Sequence, residues 1–381
     1  MFESKYKLNL DIDSASDFVV SSKDAVLKKK NDRLMQVSFD SGKIIREMKF
    51  EFRISELIAQ YGRSDAIIYL WQDGRKGKYL KFDIDKWQIN SDSAFESNRF
   101  YPMLPIQDFI LTRIGDDVFN YTPGLYSISE RKVIWENESI VNPVVISASL
   151  FSNSINKVEH FNLETGEMLW SQSVSEIGRH FLKREKQWKE GEVDKFLGVY
   201  KKEVWVLLKN GLIIGLDIET GKIIHEIKEP VEYPQSYALF DKELNNFYGK
   251  PCMLDIVKGK IIGVVQSGTV GSFPSYYEID LNVDKVQLKI MQRRDNTFGD
   301  FNADGGAIGY AWPFDDDYIY LCDYRNYKLA LFNRSTKEIV WVHKMEVDPA
   351  KKTFIVKMEV HGNRWYVLDS SKTLYVYERE S

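Results

Sequence analysis

The chain is poor in the residues that most often mark chemistry. Of its 381 residues only two are cysteine and five are histidine. Cys252 and Cys322 leave room for one bridge at most, and two reduced core thiols in a reducing compartment are the expectation. No His-x-x-x-His or Cys-x-x-Cys occurs, which leaves zinc without a ligand set. Gly-x-Ser-x-Gly elbows and glycine-rich phosphate loops are absent too. Neither sign of charge dominates: 52 Lys+Arg against 56 Asp+Glu give a formal net charge of −4. The basic field that binds nucleic acid is therefore missing, and the Lys28-Lys29-Lys30 run is expected to be a solvated turn. No apolar run approaches the ~18 residues needed to cross a membrane. Met1 to Tyr6 lack the apolar core of a signal peptide, so a soluble cytoplasmic protein, monomeric on its own, is expected.

What the chain does have is aromatic residues, 22 Phe, 21 Tyr and 9 Trp, a composition that suits the half-buried surface of a pleated sheet. It also has a repeat. An apolar strand runs into a tight polar turn and back into an apolar strand, most clearly at Phe161-Asn162-Leu163-Glu164-Thr165-Gly166-Glu167-Met168-Leu169-Trp170 and at Leu216-Asp217-Ile218-Glu219-Thr220-Gly221-Lys222-Ile223-Ile224-His225. Weaker copies lie at Phe39–Ile45 and Phe332–Trp341. Anchors near Gly42, Asp85, Arg131, Gly166, Gly221, Asp284 and Lys337 recur every roughly 35 to 63 residues, the period of a β-propeller with several short strands per unit. The β-rich runs Ala66–Leu70, Glu203–Leu208, Lys260–Val265 and Tyr318–Leu321 fit strands within those units.

An eighth unit starts at Thr353 with three strands, Phe354–Val360, Arg364–Leu368 and Leu374–Tyr377, and the sequence then stops. Lys5–Leu10 supplies an orphan strand at the other end. Pairing the two removes an unpaired edge, so one all-β domain over residues 1–381, an eight-bladed propeller closed by its N-terminal strand, is the predicted fold. Unit four is the tightest: if Val144–Phe151 is one strand rather than two, seven blades remain.

The pattern Asp/Asn-x-x-Thr-Gly-x-x-x-Trp resembles the tryptophan-docking repeat of pyrroloquinoline-quinone-type (quinoprotein-like) propellers. The tryptophan stands at Trp135, Trp170 and Trp341, with Ile45 and His225 in its place elsewhere. The resemblance implies an eight-bladed ring. The chain lacks the vicinal cysteine pair of the quinone enzymes, so the resemblance points to the scaffold members of the family, without cofactor.

The turns between the first and second strands of each unit and between the third and fourth are short, and share one face. Long connections at Asn90–Pro105, Ser175–Lys195, Glu229–Lys250 and Gln292–Gly306 collect on the other, where binding residues are expected. In Ser175–Lys195, Phe181, Arg184, Glu185 and Trp188 fall at i, i+3, i+4 and i+7, which predicts a helix with Phe181 and Trp188 on one stripe and Arg184 beside them. Those three, with Phe100, Tyr101 and Tyr237 from the other insertions, are candidate anchors for a protein partner; the same aromatic residues could instead pin the insertions to the propeller.

Asp300-x-Asn302-x-Asp304-Gly305 places three oxygen ligands at alternating positions, as a calcium loop does, but Ile308 and Ala311 stand where closing ligands belong. A polar turn is the competing reading. His225 and His343 occupy equivalent outer-strand positions and read as structural. The sequence therefore favours a non-catalytic binding module, a scaffold or an inhibitor or immunity-type partner. The alternative is a hydrolase or lyase with carboxylates such as Asp295, Asp300 and Asp304, set against Arg293 or Arg294, at the channel mouth.

Overall fold

A computed structural model describes residues 2–380 apart from 15–16, 23, 60–61, 72–75, 97–102, 107–108, 115–121, 128, 183–185, 210–211, 228–251, 266–274, 284–287, 291–312, 324–326 and 348–352. Eight antiparallel sheets follow one another along the chain and make an eight-bladed β-propeller. Seven sheets have four strands. Among the described residues the seventh in order has three, Tyr318–Asp323, Lys328–Asn333 and Glu338–Lys344, with Phe314 bridging to Ile319 where an innermost strand belongs. The fourth blade is complete: Val144–Ile146 and Ser149–Ser154 are two strands, joined by Ser147 and Ala148 at φ 50° and 63°. Eight blades thus stand, not seven.

The N-terminal strand Phe2–Asn9 pairs antiparallel with Thr373–Arg379, from Phe2 opposite Arg379 to Asn9 opposite Thr373. By packing, the chain falls into two compact units. One holds Met1–Val141, Leu163–Glu167 and Ile355–Ser381; the other holds Asn142–Asn162 and Met168–Phe354.

Some central strands of the blades are buried along most of their length. Val204–Leu208 and Arg364–Asp369 bury every residue, because both faces of such a strand are covered, and their sequences run apolar instead of alternating. Outer strands such as Ile223–Ile227 and Glu338–Lys344 alternate, since one face meets solvent. Burial also overturns the expectation for Lys28 and Lys29. They lie in the strand Ala25–Lys30, both under 10% exposed, where Lys28 Nζ donates to Leu10 O at 2.6 Å and Lys29 pairs with Asp17 at 2.7 Å. Burial lowers the Lys28 pKa.

The repeat is geometric as well as verbal. Gly42, Trp87, Arg131, Gly166, Gly221 and Lys337 occupy the same turn position with φ between 54° and 72°. A side-chain oxygen two to four residues earlier caps most of these turns, as Asp217 Oδ1 does for the amides of Glu219 and Thr220. The four residues after Gly166 lead to Trp170, and the same step from Gly42 leads to Arg46, not Ile45.

At several boundaries this position locks one blade to the next turn. Trp135 Nε1 donates to Leu163 O and Trp170 Nε1 to Ile218 O, each at 2.8 Å, with the indoles flat against Gly166 and Gly221. Arg46 performs the same reach: its guanidinium donates to Ile84 O at 3.1 Å and Asp85 O at 2.9 Å, and lies 6.0 Å over the Trp87 ring that replaces the glycine. Where the N-terminal strand meets the first blade, Tyr6 stacks on Phe39 and donates its hydroxyl to Asp40. Between the sixth and seventh blades the link is ionic, Arg334 to buried Asp255 and Lys337 to Glu278 at 2.9 Å.

Candidate interaction surface

The segment predicted as a helix is a two-stranded hairpin. His180–Leu182 pairs with Gln187–Lys189, and Phe181 faces Trp188 across the ladder. A spacing of seven satisfies both readings: it returns to one helix face, and it also spans a tight reversal between paired strands. Two glycines decide for the hairpin. Gly178 and Gly191 cross so closely that a Cβ on Gly191 would lie 2.1 Å from Val174 O, and one on Gly178 would lie 2.6 Å from the Gly191 Cα.

The foot of the hairpin is held from several sides. Gly178 N donates to Val174 O at 3.0 Å and Gly191 N to Ser175 O at 2.7 Å. Val174 N donates to Asn156 O and Val193 N to Ile155 O, both at 2.9 Å, so the turn between the second and third strands of the fourth blade lies against this foot. Asn156 Nδ2 donates to Glu190 Oε2 at 3.0 Å, and Lys209 pairs with Glu192. Ile177 packs on the cluster around buried Val174, Val193 and Val206. An isolated hairpin is marginal in water; this one is tied to a core.

Trp188 is 60% exposed, and the Arg179 guanidinium stands 5.2 Å from its ring centroid. Arg179 also faces Glu176 at 3.7 Å. Ile155, on the turn at the hairpin foot, is 72% exposed. Sequence reading missed Ile155, since an apolar residue in a turn carries no periodic signal.

Among the other candidates, Phe181 is placed through its backbone in the hairpin. Arg184, Phe100, Tyr101 and Tyr237 lie outside the described residues, as do Asp300, Asn302 and Asp304. Within Asn90–Pro105, strands run to Glu96 and resume at Met103, so that connection is shorter than its sequence suggests. No cluster of metal-ligating side chains occurs among the described residues. His225 stacks on Trp205 at 5.5 Å and 11°, and His343 on Trp341 at 5.5 Å and 9°, which gives both packing roles. A second charged group sits by the first two blades: Asp17 with Lys29, beside Glu56, whose carboxyl burial pushes up.

No protein-family model matches the sequence. No curated protein does either. Solved structures do. BamB from Moraxella catarrhalis is 12% identical, with a TM-score of 0.56 and all of both chains covered. The C-terminal WD40 domain of Sif2 is 9% identical, with a TM-score of 0.60 over 100% of this chain and 99% of that one. Saccharomyces cerevisiae Sqt1 is 12% identical, with a TM-score of 0.57 over 99% of each chain. All are propellers. At such identities the likeness shows the fold alone.

Proposed function

We propose that this protein is a non-catalytic propeller of the quinoprotein-like repeat class that binds another protein through the face bearing the 175–192 insertion. The observation that carries the reading is a hairpin outside the eight blades, braced at its foot, that presents a Trp188 ring 60% exposed beneath Arg179. Tryptophan and arginine concentrate at binding hot spots, and a braced hairpin loses little entropy on docking. The docking of Trp135 and Trp170 onto the following turns supports the repeat class. An assembly scaffold and an occluding inhibitor would both use such a surface. The reading requires no cofactor. Cys252 and Cys322, buried and not joined in a disulfide, support a cytoplasmic setting.

The test is quantitative capture from native lysate with the wild type and with Trp188→Ala plus Phe181→Ala as baits. The proposal expects proteins retained by the wild type and lost by the double variant. Identical recovery, or none by either, would overturn it. Urea denaturation of both baits controls for folding.

A further inference from the structure

At the end of the blades away from the 175–192 insertion, the first turn of the sixth blade carries residues that turns rarely hold. Ile256 and Val257 form its tip, between the strands Cys252–Asp255 and Lys260–Val265, and are 62% and 80% exposed. Turns favour Asp, Asn, Gly and Ser, and the corresponding turns of the flanking blades are Lys201-Lys202 and Asp315-Asp316-Asp317. Val283, 47% exposed, adds to the apolar surface: Asn282 beside it donates Nδ2 to Lys258 O at 2.9 Å, so the two turns of the blade lie together. The tip is firmly held. Asp255 Oδ1 accepts from the amides of Val257 at 3.1 Å and Lys258 at 3.0 Å, while its Oδ2 accepts from buried Arg334. From the fifth blade Tyr200 donates its hydroxyl to Asn282 at 2.5 Å, and Lys258 Nζ donates to Asp316 O on the seventh. Apolar residues scattered singly on a surface need no explanation; three on one braced blade end do.

From this tip and the charges around it, we infer a second docking surface, whose partner presents a basic protein segment centred on an apolar residue. The turns of the sixth and seventh blades at this end, residues 255–260, 278–283, 313–318 and 333–338, carry seven acidic and four basic side chains. Each of the four cations is matched by an acid of the same set. Arg334 meets Asp255, Lys260 and Lys337 meet Glu278 at 3.0 and 2.9 Å, and Lys258 stands 4.0 Å from Asp316. The surplus is acidic and accessible: Asp317 and Glu338 are exposed, with no cation at ion-pair distance among the described residues. An apolar centre within a rim of one sign selects a partner of the other sign, because charge steers encounter while burial of the centre holds the complex. The bracing of the turn keeps the entropy lost on docking small. The inference stands apart from the hairpin. With both surfaces filled, the protein bridges two partners, as a scaffold does and an occluding inhibitor need not.

The probe is a displayed library of random peptides, selected at low salt on the immobilised full-length Trp188→Ala protein, so that the hairpin does not compete. The inference expects selected peptides enriched in Lys and Arg around an apolar residue. Their affinity should fall about tenfold or more in Ile256→Ser plus Val257→Ser, and should fall with added salt. Asp317→Asn plus Glu338→Gln, which breaks no ion pair among the described residues, should weaken them roughly two- to fivefold and leave far-ultraviolet circular dichroism unchanged. Restoring Trp188 should leave their affinity as it was. Peptides that need Ile256 and Val257 but carry no basic enrichment would overturn the basic partner. Selection of no peptide, or only of peptides indifferent to the Ile256 and Val257 substitutions, would overturn the surface. Either result leaves the proposal for the hairpin untouched, since that rests on capture by the wild type and its loss with Trp188 and Phe181.

Discussion

Adding one methyl group at Gly221 tests whether the docked tryptophans hold the blades together. Gly221 sits at φ 72°, and a Cβ there would lie 2.6 Å from both Cδ2 and Cε3 of Trp170, a distance no real contact tolerates. Gly362 has nearly the same backbone, φ 61°, with nothing within 4 Å of the added atom. Both alanine variants bear the left-handed penalty of about 1–2 kcal/mol. Gly221→Ala must also displace an indole only 9% exposed and break its 2.8 Å bond to Ile218 O. The lost bond contributes about 1 kcal/mol, and the disturbed packing about another 1–2 kcal/mol. Gly221→Ala should therefore cost about 2–3 kcal/mol more than Gly362→Ala. Urea denaturation followed by circular dichroism reads the difference as a shift in midpoint at constant slope. A double-mutant cycle sharpens it: in a Trp170→Ala background, Gly221→Ala should fall back to the backbone penalty alone. Equal losses for the two glycines in the wild-type background would refute the docking account.

Three further expectations follow from the other seams and from titration. Arg46→Ala should lose about 1 kcal/mol by denaturation, with Arg46→Lys recovering less than half, because an ammonium cannot serve both carbonyls and the Trp87 face as the guanidinium does. Asp255→Ala should cost about 3–5 kcal/mol by stranding Arg334, whereas Asp255→Leu combined with Arg334→Met should restore much of it. The two carboxylates Glu359 and Glu56 should respond to pH with opposite signs. Burial acts to raise the Glu359 pKa, but the His361 bond and the Lys357 charge outweigh it and hold the carboxyl below its usual 4.5. Its stabilisation is present above that value and lost as pH falls through the lowered one, so Glu359→Gln should destabilise at neutral pH and much less in acid. Glu56, pushed up by burial, is penalised when ionised, so Glu56→Gln should be neutral or stabilising at pH 7 and lose that advantage in acid. Thermal melts across pH check both, and parallel curves would contradict the assignment.

Much of the architecture was legible because the turn is chemically demanding. A left-handed residue behind an Asp or Asn cap leaves a written mark, and Gly166 and Gly221 read cleanly. The equivalent Trp87, Arg131 and Lys337 adopt the same φ without glycine's signature, so register had to come from the structure. In the first unit the docking position was read at Ile45, one residue short of Arg46, although its turn does carry a glycine, Gly42. The lysine run at Lys28 looked solvated because charge is a local clue; burial depends on which neighbouring groups meet the side chain, here Leu10 O and Asp17.

The binding surface divides similarly. Trp188 and its insertion were visible as a departure from the repeat, yet periodicity could not tell helix from hairpin when the spacing of seven suits both. The close crossing of Gly178 and Gly191, residues far apart on a helix, exists only once the chain folds back. By itself the sequence determined the β-rich repeat and the N-terminal strand's place beside the C-terminal strands, because local turn chemistry and an unpaired edge both act at short range or at chain level, whereas eight blades rather than seven needed the two separate strands Val144–Ile146 and Ser149–Ser154. The tertiary structure alone decided which side chains lock blade to blade, which lysines are buried, and how Trp188 is presented, because each depends on partners that sequence distance hides.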